Sequence, residues 1–306
     1  MAAFLIKRLV WILVSLWLVA TIVFFLLRLV PGGPFDSDRA VPADIQQALD
    51  AKYHLDDPVL TQYLDWLGGV VWRGDLGPTY RYAGRSVGEI IAASLPVSVE
   101  LGVFALLFAL AFGIPLGVLG AIRHNRWQDT LSMAVALVGI SVPRFVLAPL
   151  LILVFSLTLY WLPVARWESW RHVILPVICA GLPMGAYVAR LTRSGMLEVV
   201  RSDFIRTARA KGLTERRIIL RHALRGGLLP VLSFLGPGVS GLLVGSLVIE
   251  RIFDIPGMGR YFVEAATNRD YNLVMGVTLV YAALLMTFNA AVDVAYGLLD
   301  PRVKLE

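Results

Sequence analysis

Apolar residues along this chain gather into long runs separated by short polar stretches. Leu9 to Leu27 contains no ionisable side chain, and roughly 20 such residues at about 1.5 Å rise each are what a helix needs to cross a bilayer. Further runs follow at Val97–Ile122, Leu131 to about Leu159, Val173–Ala189, Gly227–Ile249 and Asn272–Leu299. The third is broken by Pro143-Arg144 and the sixth is interrupted by Asp293. Hydrocarbon offers no partner to a backbone N–H or C=O, so such runs span as helices. The pattern predicts an all-α polytopic membrane protein of six transmembrane helices, with both termini on one side. The first run follows Lys7 and Arg8 as a secretory signal would. It is too long for one and reaches Pro31-Gly32-Gly33-Pro34 with no small-x-small cleavage site, so it is expected to be a retained helix.

Inside the runs lie Pro115, Pro143, Pro149, Pro176, Pro183, Pro230 and Pro237. Each removes a backbone donor, which neighbouring helices or a wet cavity must offset. Gly113-x-x-x-Gly117 and Gly241-x-x-x-Gly245 allow close approach of helix backbones. Packing within one chain is the expected use of these pairs, and a seam with a second subunit is the alternative.

The polar stretches give the orientation. Residues before the first run, 123–130, 190–226 and the C-terminal end together carry sixteen Lys and Arg against six Asp and Glu. The opposite stretches (31–95, 160–172 and 250–271) carry ten against fourteen. Basic residues mark the cytoplasmic face, so the chain is expected to lie N-in and C-in. The net charge of +6 is then explained by topology, with no nucleic-acid partner required. Composition agrees: 58% of residues are hydrophobic and 16% charged, with a mean hydropathy of +0.72. The expected organisation is a first helix (1–30), an external segment (31–95), a five-helix membrane domain (96–299) that includes the 190–226 stretch, and a tail (300–306). One cysteine, Cys179, excludes an intrachain disulfide, and the four histidines lack metal-ligand spacing.

The 190–226 stretch is the most informative. Asp203 suits a helix N-cap, Phe204 and Ala208 can share one face, and Arg206 and Arg209 lie near the other. Gly212 suits a left-handed C-cap. Thr214 can cap a second helix carrying Ile218, Ile219, Leu220 and Leu224. A basic helix–Gly–helix of this kind either lies on anionic lipid or docks a cytoplasmic partner.

The run Ser202-Asp203-Phe204-Ile205-Arg206-Thr207-Ala208-Arg209-Ala210-Lys211-Gly212-Leu213 resembles the cytoplasmic-loop signature of ABC importer permeases, Glu-Ala-Ala, three residues, then Gly. Arg206 and Thr207 stand in place of the Glu and first Ala, and Pro230 lies further from Gly212 than the general form has it. Both departures are those of the peptide-importer branch. Gly74-Asp75-Leu76-Gly77-Pro78-Thr79-Tyr80, Ile252-Phe253-Asp254-Ile255-Pro256-Gly257-Met258-Gly259, Asn268-Arg269-Asp270-Tyr271 and the ending Asn289…Asp293…Tyr296…Asp300-Pro301-Arg302 resemble the B-type permease of oligopeptide and dipeptide importers.

That resemblance implies the type I ABC importer permease fold, a place in the bacterial inner membrane, a transport role for residues 96–299 and a chain that does no bond chemistry. It implies a second, paralogous permease, two ATPase subunits that bind ATP and Mg²⁺, and an extracytoplasmic peptide-binding protein. Asp203, Phe204, Arg206, Thr207, Ala208, Arg209, Ala210, Lys211 and Gly212 would form the ATPase-coupling element. The chain has no Gly-x-x-x-x-Gly-Lys-Ser/Thr phosphate loop. Nickel and glutathione importers share these motifs, so cargo stays open. A self-sufficient secondary transporter would show paired repeats, and an intramembrane hydrolase a spaced nucleophile and base; neither is visible.

Three features outside the loop carry expectations. Arg144 in the third run is costly in a membrane unless paired or wet. It either faces the substrate path and attracts a peptide carboxylate, or pairs with Asp293, Glu100 or carbonyls freed beside Pro143. Asp293 itself is expected to be a structural hydrogen-bond acceptor. In the external segment, Asp56-Asp57-Pro58 reads as an N-cap followed by Pro in a first turn, and Tyr63, Trp66 and Trp72 suit a membrane interface.

Overall fold

The computed structural model describes residues 2–35, 43–82 and 84–299. Among them the structure is helical, apart from loops and an isolated bridge between Pro78 and Ser86. Among the described residues five helices are long and apolar enough to cross a membrane: α1 (Ala2–Leu29), α4 (Val87–Ile122), α7 (Trp170–Val200), α11 (Leu229–Ile252) and α13 (Tyr271–Leu299). A sixth crossing exists only if α5 (Trp127–Ser141) and α6 (Arg144–Leu151), with its π-type continuation Ile152–Thr158, count as one span. The tail 300–306, with its Asp300-Pro301-Arg302 motif, lies outside the described residues.

The expected break at Pro143 is present but far sharper than a kink: the two halves turn by 106°. Pro143 has no N–H to give the preceding turn, and its ring forces Val142 into extended backbone (ψ 116°). Two other spans are longer than the apolar runs. Helix α4 starts at Val87, ten residues before the run, and at 36 residues it is about 54 Å long, well beyond the roughly 30 Å of hydrocarbon. Helix α7 continues past Ala189 to Val200, so the start of the basic 190–226 stretch is an extension of the fourth span.

The chain folds as two compact units. The first comprises Met1–Ser98 with Pro256–Thr287. Phe24 of α1 is fully buried against Tyr63 of α3 (Val59–Gly68) and Met275 of α13, and Arg28 donates to Gln62 Oε1 at 2.9 Å. Tyr63 is therefore a packing residue; of the three expected interfacial aromatics, Trp72 is the exposed one and Trp66 is half-buried. Pro58 itself is the N-cap of α3, with ψ 135°, one position later than expected, and no side chain caps the helix. Helix α2 (Ala43–Lys52) precedes it, and α12 (Met258–Thr267) closes the unit beside Tyr82.

The second unit comprises Val99–Ile255 with Phe288–Glu306, and α7 is its hub. A Cβ on Gly113 of α4 would sit 2.8 Å from Val188 Cβ, and one on Gly117 would sit 2.6 Å from Thr192 Cβ. Only glycine permits the backbones to come this close, so this pair serves packing within the chain, as expected. Gly139 of α5 meets Leu182 and Ala186 of α7 in the same manner. Space above Gly241 is open, and the surroundings of Gly245 lie outside the described side chains.

Candidate functional site

Helix α8 spans Asp203–Ala210. Only Ile205 and Ala208 along it are buried. They enter a cluster with Ala121 of α4, Met196 of α7, Ile218 and Ala223, sealed at its edges by Leu197, Val200 and Leu213. The buried stripe thus runs through Ile205 and Ala208, three residues apart on one helix face, and leaves out Phe204. Phe204 is 52% exposed, and Arg206, Thr207, Arg209 and Ala210 are exposed beside it.

The ends of α8 follow from local chemistry. Ser202 occupies the N-cap (ψ 156°) and Asp203 is the first helical residue, one position from the expectation. The Ser202 hydroxyl donates back to Val199 O at 2.6 Å, so it does not cap α8. Asp203 keeps a favourable place, since a carboxylate in a first turn meets the positive end of the helix dipole; it also pairs with Arg206 at 3.3 Å. At the other end Lys211 is the C-cap and Gly212 adopts φ +76°. The Gly212 N–H reaches Arg209 O at 2.9 Å and the Leu213 N–H reaches Ala208 O at 3.3 Å. This crossed pair is the Schellman arrangement, with Leu213 packed into the cluster below. Gly212 therefore ends the helix as expected.

Thr214 stands at the N-cap of α9 (Glu215–Arg217) without a side-chain hydrogen bond. Arg209 Nε donates to Glu215 Oε1 at 2.7 Å across the Gly212 turn. That bond lowers the Glu215 carboxyl and raises the Arg209 guanidinium from their ordinary values, although at this exposure it adds little stability. A π-type turn, Ile218–Ala223, leads into α10 (Leu224–Gly227). Its i→i+5 bonding brings residues five apart toward one face, and Ile218 and Ala223 are both buried while Leu220 is exposed.

Arg144 opens α6 after the sharp turn. Its Nη1 donates to the Gly241 carbonyl of α11 at 3.2 Å, and its own carbonyl accepts from Cys179 Sγ at 3.5 Å. The partner is thus a carbonyl on a neighbouring helix, not Glu100 or a carbonyl freed beside Pro143. Glu100 instead accepts from the Trp167 indole at 3.3 Å, and both line a groove of about 740 Å³ together with Phe104, Phe108, Trp170 and Val173. A further cluster was not foreseen from the sequence: Asp129 of α5, Arg193 of α7 and His124. Its one available signal was an acid standing among the basic residues of 123–130.

Residues 113–305 match the family model described as binding-protein-dependent transport system inner membrane component, and residues 1–102 match the companion N-terminal model. The chain belongs to that family. It is thus a multi-pass inner membrane component, and curated relatives align along nearly its whole length. The oligopeptide transport system permease protein OppB of Salmonella typhimurium is 46% identical over 99% of this chain and 100% of the relative. OppB of Escherichia coli K12 is 44% identical over 99% and 100%. The dipeptide transport system permease protein DppB of Bacillus subtilis is 44% identical over 100% and 99%. Among solved structures, the inward-facing MetNI methionine ABC transporter superposes with a TM-score of 0.59 at 15% identity, covering 69% of this chain and 97% of that one. An amino acid ABC transporter gives 0.53 at 15% identity, over 68% and 94%. These likenesses give the fold, that of the type I ABC importer permeases.

Proposed function

We propose that this family member is the membrane-spanning permease subunit of an ATP-driven importer for oligopeptides or dipeptides. It forms half of the translocation path, beside a second paralogous permease. Two ATPase subunits bind ATP and Mg²⁺ and seat α8, and an extracytoplasmic binding protein delivers peptide. The chain lies N-in and C-in. Peptide cargo is supported by the curated relatives, whose names specify oligopeptide and dipeptide transport. Non-catalytic work is supported by the missing phosphate loop. Arg144 uses one of five guanidinium donors on Gly241, which leaves others for a peptide carboxylate in the path.

The observation that carries the docking reading is the exposure pattern of α8. The helix is anchored by Ile205 and Ala208 and presents an aromatic ring, Phe204, among Arg206, Thr207, Arg209 and Lys211. A ring held 52% exposed beside arginines fits the make-up of a protein interface, which favours aromatics and Arg. In the importer, α8 would move as a rigid lever when the ATPase pair closes, switching the spans between two discrete packings.

Gly212→Val tests this. Nothing lies within 4 Å of a Cβ at Gly212, so the substitution strains only the left-handed backbone, by about 1–3 kcal/mol. The expected result is normal membrane insertion, weakened co-purification of the ATPase subunits and loss of transport. Retention of both would remove α8 from the docking role and leave it as a helix resting on lipid.

A further inference from the structure

Asp129 lies in the first turn of α5 with its side chain only 6% exposed. Arg193 of α7 holds it in a two-pronged grip, Nε to Oδ1 at 2.6 Å and Nη2 to Oδ2 at 2.8 Å. The Asn125 N–H adds a bond at 3.0 Å. His124 Nδ1 sits 3.3 Å from the carboxylate and 3.2 Å from Arg193 Nη2. Helix α4 makes room through Gly120, where a Cβ would come within 3.2 Å of Asp129 Oδ1 and 3.3 Å of Arg193 Cδ. Three helices therefore meet at one ion pair, which neither touches the exposed face of α8 nor lines the surroundings of Arg144.

Its position gives it a use. The anchors of α8 pack on Met196 and Leu197, one turn along α7 from Arg193. In the other direction, α5 lies on α7 through Ala136, packed with Ala186 and Ala189, and through Gly139. Beyond the 106° turn, the Arg144 carbonyl is tied to Cys179 of α7. The bent pair α5–α6 is thus fastened to the helix that carries the lever, by charge at one end and by small residues along its length. Small apolar contacts are non-directional and permit sliding, whereas a bidentate guanidinium–carboxylate fork accepts one register.

We propose that the Asp129–Arg193 pair is the joint through which movement of α8 reaches the bent span, a positioning pair that fixes the register of α5 on α7. This inference rests on the docking role given to α8. The pair takes no part in attaching the ATPases. Its loss separates ATP hydrolysis from the rearrangement that hydrolysis drives.

The test uses the complete importer in proteoliposomes. In Asp129→Asn, the ATPase subunits should co-purify as with the unaltered chain and ATP should still be hydrolysed. Peptide moved per ATP should fall roughly tenfold, within the range of couplings between distant sites. Gly120→Ala is the second variant: it keeps both charges and crowds the fork, and should lower the same ratio by a smaller factor. If Asp129→Asn does not assemble, Gly120→Ala carries the test. An unchanged ratio of transport to hydrolysis, or loss of the ATPases from the assembled Gly120→Ala complex, overturns the proposal. Failure of the docking role shows separately, as full ATPase retention in Gly212→Val, where Asp129 and Arg193 are intact.

Discussion

Two short helices outside the long spans, α8 and α12, differ in how much of their surface they cover within their own chain. Helix α12 uses its polar residues within its own unit. The Met258 N–H donates to Ser98 Oγ at 2.8 Å. Glu264 accepts the Tyr82 hydroxyl at 2.8 Å and pairs with Arg260 at 3.1 Å. Burial first, and then the hydrogen bond to Glu264, push the Tyr82 hydroxyl up to about 12, so it remains a donor at neutral pH. Helix α8 keeps only Ile205 and Ala208 inside and leaves Phe204 and its cations facing out. Arg206 and Arg209 pair with Asp203 and Glu215 at that surface, so what α8 leaves uncovered is the Phe204 ring, the surface that the proposed docking would use.

The contrast can be broken or sharpened by substitution, beginning with the anchor. Ile205 is fully buried, and Ile205→Ala should cost about 2–5 kcal/mol locally. The measurement is joint: thermal unfolding should show the loss and the ATPases should no longer co-purify. Persistence of both would mean that the α8 cluster is not what seats the helix. Next comes Phe204→Ala, which should leave the unfolding temperature unchanged because the ring is exposed, while weakening ATPase association by about tenfold, as for an interface aromatic. A stability loss with undiminished association would turn α8 into a second bracing helix. The smallest effect belongs to α12. Tyr82→Phe deletes one hydrogen bond and should lower stability by about 0.5–1.5 kcal/mol, with ATPase attachment unaltered. Weakened attachment there would erase the distinction between the two helices.

Much of this arrangement is legible in the sequence, for reasons that differ by element. The spans show because a membrane demands long apolar runs, and Gly212 shows because a left-handed residue beyond a helix favours glycine. The exposure of Phe204 was not legible, because helical periodicity says which residues share a face without saying which face is covered. Ile205 became the anchor through Met196 and Ile218, contacts that only the folded chain supplies. The cap shifted from Asp203 to Ser202, and from Asp57 to Pro58, since one-residue differences at helix ends are decided by local bonds that propensity does not rank. The depth of the Pro143 turn and the π-type segments Gly69–Arg73, Ile152–Thr158 and Ile218–Ala223 leave no periodic signature. Asp129 and Arg193 stand far apart in sequence, and their pairing is a product of helix packing.

Cys179, the chain's one cysteine, is fully buried with its sulfur turned to the Arg144 carbonyl. A thiol so enclosed reacts poorly with maleimides and methanethiosulfonates, which need an accessible thiolate. The unaltered chain is therefore close to silent toward such probes, and no background cysteine has to be removed from it. A cysteine placed at an exposed site such as Arg206 would be the one that takes the label, and a spin or fluorescent tag there would report whether α8 makes the excursion proposed for it.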